Sequence, residues 1–190
     1  ALIVILIAIF APWVATKNPY DAIMTDSLVP PGEKYMWGTD RLGRDIFSRI
    51  VYGIRPSLIM TFTLVTVVFV VGTGLGILAG YFGGIADTII MRFADMMISF
   101  PGLVLAIAVA GLLGPNMINA VLAIALVSWP KYARLARSLV LKIKNNMYIE
   151  AAIVGGARTG KIIGKYLIPN MIPTMIVIAT TDIGTMMLEL

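Results

Sequence analysis

Ser57-Leu-Ile-Met-Thr-Phe-Thr-Leu-Val-Thr-Val-Val-Phe-Val-Val-Gly-Thr-Gly-Leu-Gly-Ile-Leu-Ala79 decides the fold class. No charged side chain stands between Arg55 and Asp87. A helix needs about 20 apolar residues to cross the hydrocarbon core of a bilayer, and this stretch is long enough. Its glycines Gly72, Gly76 and Gly80 recur every fourth residue. That spacing puts them on one helix face, where small residues let two membrane helices pack closely.

The composition agrees. Hydrophobic residues make up 59% of the chain and charged residues only 13%, with a mean hydropathy of +0.92. Soluble domains carry about 25% charged residues, so a water-facing globule of this composition would leave much apolar surface uncovered. There is no cysteine and no histidine. Disulfides, cysteine nucleophiles, histidine bases and Cys/His metal sites are therefore excluded, and no acidic cluster suggests an oxygen-ligated metal. The net charge of +5 fits basic loops that set membrane topology rather than nucleic-acid binding.

Working outward, residues 1–14 (ALIVILIAIFAPWV) read as the end of a first span. A signal peptide would need a basic flank and a small-residue cleavage site. Residues 15–55 form an extracytoplasmic loop, within which Ile46, Phe47, Ile50, Val51 and Ile54 predict a short amphipathic helix. Residues 81–87 read as a tight turn, with Asp87 capping the next helix. A third span is expected over 88–112, with Arg92 and Asp95 paired at i,i+3 and an interruption at Pro101-Gly102. A fourth covers 117–136, and Lys131, Arg134 and Arg137 gather at its far end. Another apolar run begins at Met171 and continues to residue 190. The expectation is an all-α integral membrane bundle with parts of five spans visible, residues 56–190 forming its transmembrane core. The chain reads as open at both ends.

Lys and Arg near span ends set orientation. The stretch 131–165 holds eight of them and 15–55 holds six. The first is therefore read as cytoplasmic and the second as outside.

Two stretches imitate phosphate sites. Gly72-Thr-Gly-Leu-Gly76 lies mid-span with no strand before it, so helix packing explains it better than a dinucleotide. Gly155-Gly-Ala-Arg-Thr-Gly160-Lys161 matches G-x-x-x-x-G-K, but Ile162 stands where a magnesium-binding hydroxyl belongs.

The informative segment is Tyr148-Ile-Glu-Ala-Ala-Ile-Val-Gly-Gly-Ala-Arg-Thr-Gly-Lys-Ile-Ile-Gly-Lys-Tyr-Leu-Ile-Pro-Asn170, inside the polar, basic stretch 138–170. Glu150, Ala151 and Ala152 favour helix. With Gly155, Gly156 and Ala157 they offer a thin surface that another protein can approach. Pro169 and Asn170 are expected to break the helix before the last span. From the residues alone, a docking surface and a plain interfacial helix both remain open. Asp182 and Glu189 lie in the last apolar run, where an acid at mid-membrane costs about 2.5–3.5 kcal/mol on insertion scales. They stand seven apart and share a face, either lining a translocation path or pairing with another subunit. Met96, Met97, Met117, Met171, Met175, Met186 and Met187 read as packing or lipid-facing residues rather than a soft-metal site.

Glu150, Ala151, Ala152, Gly156 and Pro169 resemble the EAA motif of ABC importer permeases, with Ile168 where Leu is usual and Tyr166 where peptide-type members often have His. Trp37-Gly-Thr-Asp-Arg-Leu-Gly-Arg-Asp-Ile-Phe-Ser-Arg49, Ala79-Gly-Tyr-Phe-Gly-Gly84 and Trp129-Pro-Lys-Tyr-Ala-Arg134 resemble signatures of the dipeptide/oligopeptide/nickel group. In detail the chain looks most like the second permease of that group, the one with the shorter outer loop. The resemblance implies six spans in the full protein and a cytoplasmic coupling helix around Glu150–Gly156. It also implies a sister permease subunit, two cytoplasmic ATPase subunits that hold the ATP and magnesium, and an extracytoplasmic substrate-binding protein. This chain would then lie in the cell membrane among lipids, bind no cofactor and no nucleic acid, and not itself be an enzyme. The competing class is an ATPase-independent secondary transporter or channel, which would be favoured by paired broken spans and an internal repeat. No clear repeat is visible.

Overall fold

The computed structural model describes residues 2–190, with side chains from Ile3 onward. Among the described residues there is no strand, only an isolated antiparallel bridge between Thr39 and Asp45. Two compact units are distinguished, one ending at Met60 and the other spanning Thr61–Leu190.

In the first unit, α1 (Leu2–Ile9) and α2 (Ala11–Val14) are separated at Phe10, just before Pro12. Residue 1 of the expected first span lies outside the described residues. The loop that follows is held by its own side chains. Thr39 Oγ1 donates to the Asp26 carbonyl and accepts from the Val29 amide. Asp40 accepts from the Leu42 and Arg44 amides and from the Arg44 and Arg49 guanidinium groups. Asp45 caps the helix beyond it, its Oδ2 accepting from the Ser48 amide at 2.9 Å and the Ser48 hydroxyl at 2.5 Å. Gly38 and Gly43 take φ values of +75° and +73°, which only glycine adopts without strain. The polar signature Trp37–Arg49 is therefore a folding device for the loop.

The expected amphipathic helix is not a separate element. It is the first part of α3 (Ile46–Phe82), which runs unbroken through Pro56. Proline costs a helix one backbone donor. In the same turn the Ser57 hydroxyl donates to the Gly53 carbonyl.

In the second unit, α3 packs against α6 (Met117–Lys144) along the glycine stripe. A Cβ at Gly72 would lie 2.5 Å from Tyr132 Cβ and 2.7 Å from the Trp129 carbonyl oxygen. At Gly76 it would meet Ala136 Cβ at 2.6 Å, and at Gly80 Val140 Cβ at 2.9 Å. Facing these glycines, α6 presents the fully buried Tyr132, Ala133, Ala136 and Val140. α6 also runs further than expected, to Lys144 rather than Ala136.

The expected turn at 81–87 shrinks to Gly83, whose φ of +66° reverses the chain into α4 (Gly84–Ile98). Asp87 is not a cap. It lies in the first turn of α4 and takes two hydrogen bonds from Arg137 of α6, at 2.5 and 2.6 Å. The expected Arg92–Asp95 pair is also replaced, because Arg134 Nη2 reaches Asp95 at 2.6 Å. A neighbouring helix outcompetes the i,i+3 pair at this position. α4 and α5 (Gly102–Leu113) are bent by 90° about Ser99–Pro101, where Pro101 takes an extended ψ of 113°. The interruption is thus a sharp break.

After α6 come α7 (Met147–Val154), the single turn α8 (Thr159–Ile162), a π-helical turn (Ile163–Leu167) and α9 (Ile168–Glu189). Pro169 and Asn170 do not break the chain here. The widened π turn just ahead of Pro169 accommodates its ring, and Thr159–Glu189 forms one apolar helical run. That run and α3 are each long and apolar enough to cross a membrane, and the bent α4–α5 pair adds a third candidate if it counts as one span. The buried face of α9 carries Met171, Met175, Asp182 and Met186, so these methionines pack within the unit.

Two outcomes test these contacts. Gly72→Ala should lower the thermal midpoint of the detergent-solubilised protein, corresponding to about 1–3 kcal/mol of overpacking, whereas Gly74→Ala, with open space around its Cβ, should leave it unchanged. The Asp40 carboxyl is held at about 2: partial desolvation pushes it up, but the Arg44 and Leu42 amides and the Arg44 guanidinium outweigh this. Its stabilisation is therefore present above the ordinary carboxylate range and is lost as pH falls through about 2. Protection of the 15–55 loop from an acid-active protease should accordingly weaken between pH 4 and 2, and Asp40→Asn should remove that part of the pH dependence.

Candidate functional site: the Glu150–Gly156 helix and its supports

α7 begins where α6 ends. Asn146 closes α6, its Nδ2 donating to the Ile143 carbonyl at 3.1 Å and its amide to the same oxygen at 3.1 Å. One side chain anchors α7: Ile149 is fully buried. The rest of the helix is largely uncovered. Met147 is 87% exposed and Val154 90%, while Tyr148, Glu150, Ala151 and Ile153 are exposed and Ala152 is half-buried. The Tyr148 ring lies 6.4 Å from that of Tyr166 in the π turn, so Tyr166 makes a ring contact where a histidine is usual in the resembled family.

The end of α7 explains its two glycines. The Ala157 amide donates to the Ala152 carbonyl at 3.0 Å, and the Gly156 amide to that of Ile153 at 2.9 Å. This pair of bonds is a Schellman motif, whose C′ residue must be left-handed. Gly156 is that residue, with φ +78°. Gly155 and Gly156 are exposed and Ala157 half-buried, so the motif ends the helix abruptly and leaves a small-residue corner in the open.

The same bonds remove the phosphate-loop reading. A phosphate cradle needs free amides converging on the anion, but those of Gly155, Gly156 and Ala157 all point back to α7 carbonyls. The Lys161 and Ile162 amides both donate to the Arg158 carbonyl.

Asp182 and Glu189 have different surroundings. Asp182 is 6% exposed and accepts two hydrogen bonds from Lys131 Nζ of α6, at 2.7 and 2.8 Å. Glu189 is exposed and lines a cavity of about 520 Å³ with Gly102, Ala106, Ile124 and Ser128. The sequence counted Lys131 among the loop cations and missed its partner. The available signal was that a deeply apolar acid requires a cation, and Trp129-Pro-Lys131 offers one within a helix. Along α6 the cations form a series of clasps: Lys131 to Asp182, Arg134 to Asp95, Arg137 to Asp87, and Lys144 to the Tyr81 carbonyl at 2.8 Å.

Residues 72–190 match the family described as "Binding-protein-dependent transport system inner membrane component". Among curated proteins, the chain is 43% identical over 97% of its length to a dipeptide transport system permease protein of Alkalihalophilus pseudofirmus, covering 61% of that protein. It is 42% identical over its whole length to the dipeptide transport system permease protein of Haemophilus influenzae, covering 66%. It is 37% identical over its whole length to the nickel transport system permease protein of Escherichia coli K12, covering 70%. The chain thus spans somewhat under two thirds of the dipeptide-system relatives. Identity at this level along nearly the whole chain, with an all-helical apolar core and the EAA-like corner at Gly156, establishes that the chain belongs to the family of binding-protein-dependent transport system inner membrane components, in its peptide and nickel permease group.

Proposed function

We propose that this chain is the membrane-spanning permease subunit of an ATP-driven importer that moves peptides or nickel, free or chelated, into the cytoplasm, and that α7 is the helix through which a partner ATPase drives it. The observation that carries this reading is α7 itself: a short helix anchored by the single buried Ile149, exposing Glu150, Ala151, Ile153 and Val154, and ended by a glycine corner. An apolar and small-residue surface of this kind suits a groove on another protein. Its direct connection to α6, which is clasped to α3, α4 and α9, suits a lever that moves a bundle as one body.

The reading carries the expected assembly with it: a sister permease subunit, two cytoplasmic ATPases holding ATP and magnesium, and an extracytoplasmic binding protein that delivers substrate. The family description, a component of binding-protein-dependent systems, supports the last. In the proposed topology the α7 corner is cytoplasmic, as the resemblance to importer permeases implies, with Lys142, Lys144, Arg158, Lys161 and Lys165 flanking it. The 15–55 loop then lies outside. Residues 1–14, α3, the bent α4–α5 pair, α6 and α9 supply five of the spans. Gly155, Gly156 and Ala157 form the contact corner with Glu150, Ala151 and Ala152, and hydrolysis belongs to the partners.

Purification of the full-length protein with its partners tests this. Wild type should bring down ATPase activity, and Glu150→Lys combined with Gly156→Asp should lose it at least tenfold while inserting normally. Because φ at Gly156 is +78°, Gly156→Asn, which tolerates that conformation better than alanine, should retain more coupling than Gly156→Ala. A properly inserted wild type that captures no ATPase would sink the importer reading. Lys161→Ala should leave nucleotide binding by the complex unchanged.

A further inference from the structure

Asp182 and Lys131 form an unequal pair. The Asp182 side chain is 8% exposed and that of Lys131 61%. The acid is sealed inside the helical unit, while its cation is more than half uncovered. In the proposed topology Lys131 is about 21 Å along α6 from Met117 and Asp182 about 21 Å along α9 from Ile168, at 1.5 Å per residue. Both lie within a hydrocarbon core of about 30 Å. An exposed ammonium at that depth has to face a protein interior or a watered cavity rather than lipid.

Beside Asp182 stands a second donor, the Tyr132 hydroxyl, near enough to interact with the carboxylate but outside good hydrogen-bond geometry to it. Tyr132 is fully buried, and its hydroxyl has no hydrogen-bond partner among the described residues. Asp182 is the charged group next to it. The ring is held in place: Phe69 meets it edge-on, with centroids 6.1 Å apart, and Gly72 leaves no room behind its Cβ. A buried hydroxyl without a partner is costly, and a buried carboxylate stripped of its cation is costlier. Two donors beside one acid resolve both costs if they serve it in turn. The other α6 cations lack this arrangement, since Arg134 and Arg137 hold acids with no idle donor identified beside them.

We propose that Lys131 is a carboxylate-binding residue on the transport path: the carboxylate of a peptide substrate takes the Lys131 ammonium from Asp182, and the Tyr132 hydroxyl then donates to Asp182. The proposal rests on the importer reading and narrows its substrate class. An uncovered ammonium attracts the anionic end of a peptide and repels a bare divalent cation. Asp182 is then a positioning residue that keeps Lys131 in place between substrates, and Tyr132 keeps the acid satisfied while Lys131 is engaged.

The chain has no cysteine, so one can be introduced at this position alone. The test uses the whole importer with its partner subunits, otherwise cysteine-free, in proteoliposomes with Ala-Ala as the transported probe. Lys131→Cys should lower uptake at least tenfold. Aminoethyl methanethiosulfonate, which rebuilds an ammonium on the sulfur, should restore at least half of it, whereas the sulfonatoethyl reagent, which installs an anion, should restore none. Saturating Ala-Ala should slow labelling at least threefold. The neutral pair Lys131→Gln/Asp182→Asn, which leaves no bare buried charge, should assemble with the ATPases yet remain poor in uptake, and Tyr132→Phe should lower maximal uptake at least threefold. Wild-type uptake by Lys131→Cys, equal effects of the two reagents, or a cysteine that no reagent reaches in the assembled complex would each overturn the proposal, the last by showing the pair sealed against the sister subunit. A wild-type complex that hydrolyses ATP but imports no peptide would remove the importer reading for peptides, and the proposal with it.

Discussion

Close approach of two helix backbones organises the larger unit. α3 and α6 meet along Gly72, Gly76 and Gly80, where any side chain would collide with Tyr132, Ala136 or Val140. In lipid there is little hydrophobic gain from bringing helices together, so contact must come from van der Waals packing and polar links between them. The glycine stripe supplies the first. The second comes from the same helix, because α6 turns its basic side chains on acids and a carbonyl of its neighbours. One helix therefore sets the positions of α3, α4 and α9.

The proposed lever role of α7 rests on that arrangement. The helix follows α6 after two residues, buries Ile149 and sets the Tyr148 ring against that of Tyr166. The Schellman corner makes the α7 terminus rigid without filling it, and Gly156 serves there for its left-handed backbone as much as for its small size. The break at Ser99–Pro101 and the π turn ahead of Pro169 show the other side of this design. At these two prolines the backbone is irregular and neighbouring turns absorb the change, whereas Pro56 and Pro130 lie within continuous helices.

The 15–55 loop follows a different logic. Its order comes from charged and hydroxyl side chains bonding to nearby amides and to each other, as at Asp40, Thr39 and Asp45. Gly-Thr-Asp and Gly-Arg-Asp supply turn and cap chemistry here, which explains why polar residues recur at fixed spacing.

Local pattern sufficed for the membrane class, the helical spacing of the glycines, the interruption at Pro101 and the short helix and glycine break around Glu150–Gly156. Each depends on residues close in sequence: apolar run length, i,i+4 recurrence, or the missing amide of proline. What local pattern suggested wrongly was equally specific. It paired Arg92 with Asp95, made Asp87 a cap, separated the amphipathic stretch from α3 and ended a helix at Pro169. In the first two cases the partner is a cation of α6 about forty or fifty residues away, and no periodicity reports which distant helix will lie alongside. Lys131 and Asp182 are the clearest case. Local pattern left open whether the acid in the last apolar run lines a path or pairs with another subunit, since a bare charge there is costly. Only the packing of α6 against α9 decided that the partner is Lys131.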